Sequence, residues 1–177
     1  MSSQPRSSGS CASSAATPDP ATGVSRVREQ IDIDAPLEDV FDFFDDVANA
    51  EVLVSSFVAL TSVDALPNGG RRVEYTTRNK RGEIVAASSE HLEYDAPHRT
   101  VTRGQQSGIG TVSTRHFVPN TGRGTRVVAT IEWSVPVKYV AALITSPLRR
   151  PLRRSLRNSL HAAKRAIESG PTSPALE

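Results

Sequence analysis

One cysteine, Cys11, is all the chain holds, which excludes an internal disulfide and any metal site built from several thiolates. No apolar run approaches the roughly 20 residues that a membrane-spanning helix needs. The N-terminal segment has no apolar core of about 7–15 residues and does not read as a secretory signal. Cys11 follows Ser8-Gly9-Ser10, unlike a lipoprotein processing site, so a cytoplasmic setting is expected. No G-x-S-x-G nucleophile elbow occurs. Gly104 to Gly110 contains glycines, but no strand–glycine–helix phosphate loop follows them. No two of His91, His98, His116 and His161 have metal-ligand spacing, so no metal site and no cofactor is expected.

What remains is one ordinary domain with polar appendages. The 177 residues are 37% apolar and 23% charged, enough for a single core. Residues 1–24, rich in Ser, Ala, Pro and Thr, are expected to stay disordered, because they cannot bury enough surface to offset their ordering entropy. The domain is assigned to residues 25–169, and residues 170–177 read as a second disordered tail.

The net charge of +2 hides an asymmetry. Residues 138–169 hold eight Lys or Arg and one acid, whereas Glu29 to Glu51 holds nine acids and no base. The favoured reading is of two solvated faces that attract each other. The alternative is that Arg149, Arg150, Arg153, Arg154 and Arg157 contact an anionic membrane. Nucleic acid is not expected, because no aromatics interleave the basic run and no recognition motif accompanies it.

Val27, Glu29, Ile31 and Ile33 alternate with polar residues, the period of a half-buried strand. Ala35-Pro36 ends it, and Leu37, Val40, Phe41, Phe44 and Val47 switch to helical spacing. A second short helix is expected over Asp45–Val54. Six strands follow at 57–66, 71–78, 84–94, 99–105, 111–118 and 125–135. Short turns such as Pro67-Asn68-Gly69-Gly70 separate them, implying an antiparallel meander. Leu148, Leu152, Leu156, Leu160, Ala163 and Ile167 form one stripe of a long last helix, with a kink or a break expected near 145–151 from Pro147 and Pro151. An earlier turn is expected at Tyr139, Val140, Leu143 and Ile144.

Three segments carry a family resemblance. Ile33-Asp34-Ala35-Pro36-Leu37-Glu38-Asp39-Val40-Phe41 resembles the opening of the polyketide cyclase/dehydrase branch of the START/Bet v 1-like (SRPBCC) superfamily. Glu93-Tyr94-Asp95-Ala96-Pro97-His98-Arg99 is similar to that branch's E-x-D-P-P-x-R turn. Phe117-Val118-Pro119 with Gly124-Thr125-Arg126-Val127 is similar to its F-x-P-x-x-x-G-T-x-V hairpin. The resemblance spans about 26–168. It implies an α+β helix-grip fold, β-α-α-β6-α, in which a curved seven-stranded antiparallel sheet holds a long C-terminal helix. It also implies a cavity between the two for a small hydrophobic ligand: a lipid, a polyketide or a quinone-like molecule. A minority of such proteins are cyclases, dehydratases or hydrolases.

Strand parity nominates the residues facing such a cavity: Val73, Tyr75, Thr77, Phe117, Val127, Ala129, Ile131 and Trp133. Leu92 is added on the face of Tyr94, and Leu143 from the segment before the last helix. If Phe117 points inward, so do Ser113 and Arg115. A buried guanidinium must be paired or hydrogen-bonded. Arg115 could hold a ligand carboxylate or phenolate, or pair with Glu74 or Glu90; the protein partner, or escape to solvent, is favoured. Tyr75 and Arg115 are the one pair nominated for acid–base chemistry. His91 and His116 are expected to face outward. Three readings stay open: a carrier or binding protein, a cyclase/dehydratase, and a protein docking through its basic helix.

Overall fold

The computed structural model describes residues 24–106, 108–134 and 149–170. Strand β1 (Val24–Ile33) passes through the Ala35-Pro36 bend into α1 (Leu37–Asp45). β1 thereby takes in Val24, the last residue assigned to the tail; residues 1–23 and 171–177 lie outside the described residues. Proline suits a helix start, where its missing N–H costs nothing. The Pro36 carbonyl accepts the Val40 N–H at 3.1 Å. Glu38 and Asp39 occupy the first turn, where the helix dipole favours acids. Val40, Phe41 and Phe44 are the buried face. The expected second helix is a single 3-10 turn, Val47–Asn49, followed by the one-turn α2 (Ala50–Leu53). Asp46 breaks the run with an extended backbone, and its side chain accepts the Ala48 N–H at 2.9 Å.

The meander consists of β2 (Phe57–Ala65), β3 (Arg71–Arg78), β4 (Ile84–Asp95), β5 (Arg99–Gln106), β6 (Ile109–Pro119) and β7 (Thr125–Ser134). Gly69 and Gly82 turn the first two hairpins at φ 85°, a conformation that a side chain disfavours. All neighbours are antiparallel, in the order β1-β7-β6-β5-β4-β3-β2. The first strand thus pairs with the last, Val27 opposite Ile131 and Ile33 opposite Thr125. The Thr125 hydroxyl, fully buried, donates to the Ala35 carbonyl at 2.9 Å and fixes the bend between β1 and α1.

Helix α3 (Arg149–Glu168) buries Leu156, Leu160 and Ala163 against the sheet. They join Val27, Ile33, Val40, Phe41, Phe117, Val127, Ala129 and Trp133 in one core. Trp133 is 1% and Leu156 8% exposed, as the apolar parity predicted. The fold is the helix-grip α+β arrangement, a curved sheet packed on its C-terminal helix. Pro151 is the third described residue of α3. Tyr139, Val140, Leu143, Ile144, Pro147 and Leu148, with the kink or break expected there, lie outside the described residues.

The attraction between acidic and basic segments is realised, among the described residues, most directly at Glu29. Glu29, on the inner face of β1, pairs with Arg153 and, at 3.2 Å, with Arg157. The hydrogen bond from Arg153, against the opposing effect of burial and with help from Arg157, holds its carboxyl below the usual range.

Candidate functional site

The inner face of the sheet is built in cross-strand rows. Arg115 on β6 stands opposite Thr100, Ser113 opposite Thr102, and Thr111 opposite Gly104. Across β5, His91 stands opposite Thr102 and Ser89 opposite Gly104. Val73 lies opposite Ser89, and Tyr75 opposite Ala87. Above this floor sit Phe44 of α1, Leu53 of α2, Phe57 of β2 and Leu156 of α3. Together they line a half-open cavity of about 330 Å³. Depressions of about 490 Å³ beside Thr61 and Glu74, and of about 530 Å³ between Phe43 and Arg165, are open hollows on the surface.

The roof mixes these apolar side chains with Asp45, Ser155 and Ser159, and the floor is rich in hydroxyls. Tyr75, Ser89, Thr111 and Ser113 line the cavity. Among the described residues, none of their hydroxyls bonds to protein. Gln106 also lines it, and its amide donates to the buried Thr77 hydroxyl at 2.7 Å. Phe57 stacks on Tyr75 with ring centres 6.0 Å apart.

Arg115 is the central charge. Its guanidinium carbon lies 5.7 Å from the centre of the Phe44 ring, a cation–π geometry. Neither Glu74 nor Glu90 meets it. Both have the parity opposite to Tyr75 and Ser89, which line the cavity, and Glu74 contacts Arg72 at 3.7 Å instead. Among the described residues Arg115 has no carboxylate partner; its remaining exposure is to the cavity. Burial lowers its pKa, opposed by Tyr75 and Asp45, yet a guanidinium stays charged in any case. Burial raises the Tyr75 pKa against the opposing pull of Arg115, so Tyr75 is a neutral phenol.

A clasp closes the α1 end. Asp45, the last residue of α1, accepts from the Arg71 guanidinium and, at 3.0 Å, from the Tyr94 hydroxyl. His91 Nε2 is 3.9 Å from the other carboxylate oxygen, which is buried without a hydrogen bond. His91 Nδ1 accepts the Arg71 N–H at 3.1 Å. Burial depresses the His91 pKa, so the ring is neutral. With one nitrogen on the backbone and the other against Asp45, His91 holds the clasp together.

Val73, Tyr75, Ser113, Arg115 and Ile131 line the cavity as the parity argument expected. Phe117, Val127, Ala129 and Trp133 face the same side but are sealed in the core under α1 and α3. Thr77 is fully buried beneath Gln106 and does not reach the cavity. Leu143 lies outside the described residues. Two expectations fail for one reason. A β-bulge between His91 and Glu93 inserts an extra residue in β4, and an inserted residue flips the strand's phase. Leu92 is therefore 36% exposed, while His91 turns inward. Asp45, Arg71, Ser89, Thr102, Gln106 and Thr111 were not foreseen in the site. Thr111 was within reach of the same parity, two residues before Ser113.

No group of three His, Cys, Asp or Glu side chains among the described residues could hold a metal ion. No helix among them is long and apolar enough to cross a membrane.

Comparison with solved structures places this geometry in known company. A START superfamily protein from Mycobacterium smegmatis superposes with a TM-score of 0.66 at 11% identity, covering 81% of this chain and 97% of the other. A protein from Thermus thermophilus gives 0.61 at 20% identity, covering 84% and 100%. The di-domain ARO/CYC StfQ from the steffimycin biosynthetic pathway gives 0.67 at 15% identity; 82% of this chain matches 51% of that one. At such identities the likeness speaks for the fold alone. No curated protein gives a significant match. The family described as polyketide cyclase / dehydrase and lipid transport matches residues 25–168. With its sheet, its grip on α3 and its cavity all inside that match, the chain belongs to the polyketide cyclase/dehydrase and lipid transport family.

Proposed function

We propose that this protein binds a small flat molecule whose aromatic body carries an acidic oxygen: a phenolate, an enolate or a carboxylate. One observation carries the reading. Arg115 is a half-buried cation lining the cavity, with no carboxylate within ion-pair distance among the described residues, and a charge withdrawn from water requires compensation. The cavity volume of about 330 Å³ falls at the lower end of the ligand-site range of about 300–1,000 Å³. Four hydroxyls on the floor, without a protein partner among the described residues, suit an oxygenated aromatic of polyketide or quinone-like type better than an acyl chain. The apolar roof residues Phe44, Leu53, Phe57 and Leu156 would cover its ring face. A single cysteine fits a cytoplasmic setting.

Titration calorimetry with 1-naphthoate and its methyl ester tests this. A charge-assisted hydrogen bond contributes about 1.5–3 kcal/mol, so Arg115→Gln weakens the acid roughly 10–150-fold and leaves the ester nearly unchanged. Equal loss for both ligands would show that Arg115 is structural, and the absence of heat with either would refute the binding reading.

A second reading, a cyclase- or dehydratase-type enzyme in the same cavity, rests on Tyr75. A neutral phenol beside Arg115 can give a proton to an oxygen whose negative charge the guanidinium stabilises. Tyr75→Phe would then lower turnover of an aromatic polyketone with little change in affinity. An unaltered protein that binds such a compound and converts none of it is a carrier.

A further inference from the structure

The N-terminal half of α3 breaks a local rule of helix chemistry. The first turns of a helix carry a partial positive charge and favour acids. Here Arg149, Arg150, Arg153 and Arg154 fill them, and the first turn holds no acid. Natural sequences that break such rules without internal compensation tend to do so where function requires it. The compensation found inside the fold is partial. Glu29 takes Arg153 and Arg157. Arg149, Arg150 and Arg154 are exposed and have no ion pair among the described residues. The patch borders the cavity, because Ser155 and Ser159 of the same helix line it.

We propose that this half of α3 docks on an anionic lipid surface, bringing the cavity rim against the bilayer. The charge is of one sign and lies along the outside of a helix. It has no aromatic or amide groups interleaved to read nucleobases. A planar field of negative charge is the complement of such a surface. The aromatic body of a flat ligand with one acidic oxygen also partitions into the bilayer interface, so a carrier that meets it there need not take it from water.

The docking stands independently of what Arg115 binds. Each arginine near an anionic surface contributes about 1 kcal/mol, which is about five-fold in partition. Replacing the three uncompensated arginines therefore costs roughly a hundred-fold. The full chain is sedimented with phosphatidylglycerol/phosphatidylcholine vesicles and with pure phosphatidylcholine, at low and at physiological salt. We expect binding to the anionic vesicles alone, weakened by salt and lost in R149Q/R150Q/R154Q. Glu29→Gln releases Arg153 and Arg157 and should tighten binding, a gain that misfolding would not produce. Absence of sedimentation at low salt overturns the proposal. So does binding that the triple variant retains, or duplex DNA or polyglutamate bound more tightly than the vesicles at the same salt. Calorimetry with 1-naphthoate on the triple variant keeps this result apart from the cavity: its binding there should be unchanged.

Discussion

The clasp at the end of α1 makes a quantitative demand on stability. Asp45 and Arg71 form an ion pair whose side chains are 13% and 24% exposed, well short of a surface pair. Removing one partner of a buried pair costs about 3–5 kcal/mol, because the other charge is left behind. Residual solvent at Arg71 screens part of this, so Asp45→Asn should cost about 2–4 kcal/mol. Asparagine can still accept from the Tyr94 hydroxyl at 3.0 Å; what is lost is the charge facing the guanidinium. Arg71→Met leaves a buried carboxylate facing Tyr94 and the neutral His91, and should cost a similar amount. The double variant removes both charges and should fall short of the sum by at least about 1 kcal/mol, as contacting residues do. Urea unfolding with an unchanged m-value, read for the four proteins, closes the cycle. A single variant costing less than about 0.5 kcal/mol, the size of an ordinary surface change, or strict additivity, would refute the idea that this pair anchors α1.

Three further outcomes follow from the packing. Leu160→Ala, at a site 2% exposed between α3 and the sheet, should lose about 2–5 kcal/mol in the same assay. Thr125→Val keeps the volume but strips the Ala35 carbonyl of its donor, which should cost about 1–3 kcal/mol, with Thr125→Ser nearer the unaltered protein. The depressed His91 pKa makes the unfolded chain bind a proton that the folded chain refuses. Stability should therefore be insensitive to His91 above its ordinary value of 6.5 and fall as pH drops below it. His91→Gln should remove that slope but keep the later acid loss below 4.5, where Glu29 and its arginines part.

The architecture was legible because its signals are local and repeated. Alternation set each strand, turn residues set the hairpins, and Ala35-Pro36 set the change of period. Arg115 could be placed inward because Phe117 fixed the phase of β6 and no bulge intervenes between them. The clasp was not legible. It joins residues 45, 71, 91 and 94, which approach only once the sheet has curled. Its histidine lies just ahead of a bulge that no single residue type marks. Parity also says which side a residue faces and not how deep it lies. Trp133 and Ser113 share a face, yet one is sealed under a helix and the other borders open space.

The chain's lone tryptophan has a practical consequence. Trp133 is 1% exposed and sits in the core with Leu156, Leu160 and Ala163 of α3. The indole emission of the native protein therefore comes from one place, the seam between sheet and last helix, with no second chromophore of its kind to average over. A red shift measured under any treatment reports that α3 has loosened its hold there, and an unchanged spectrum during unfolding of another region would be equally informative. The protein carries its own optical probe at the contact on which the whole grip depends.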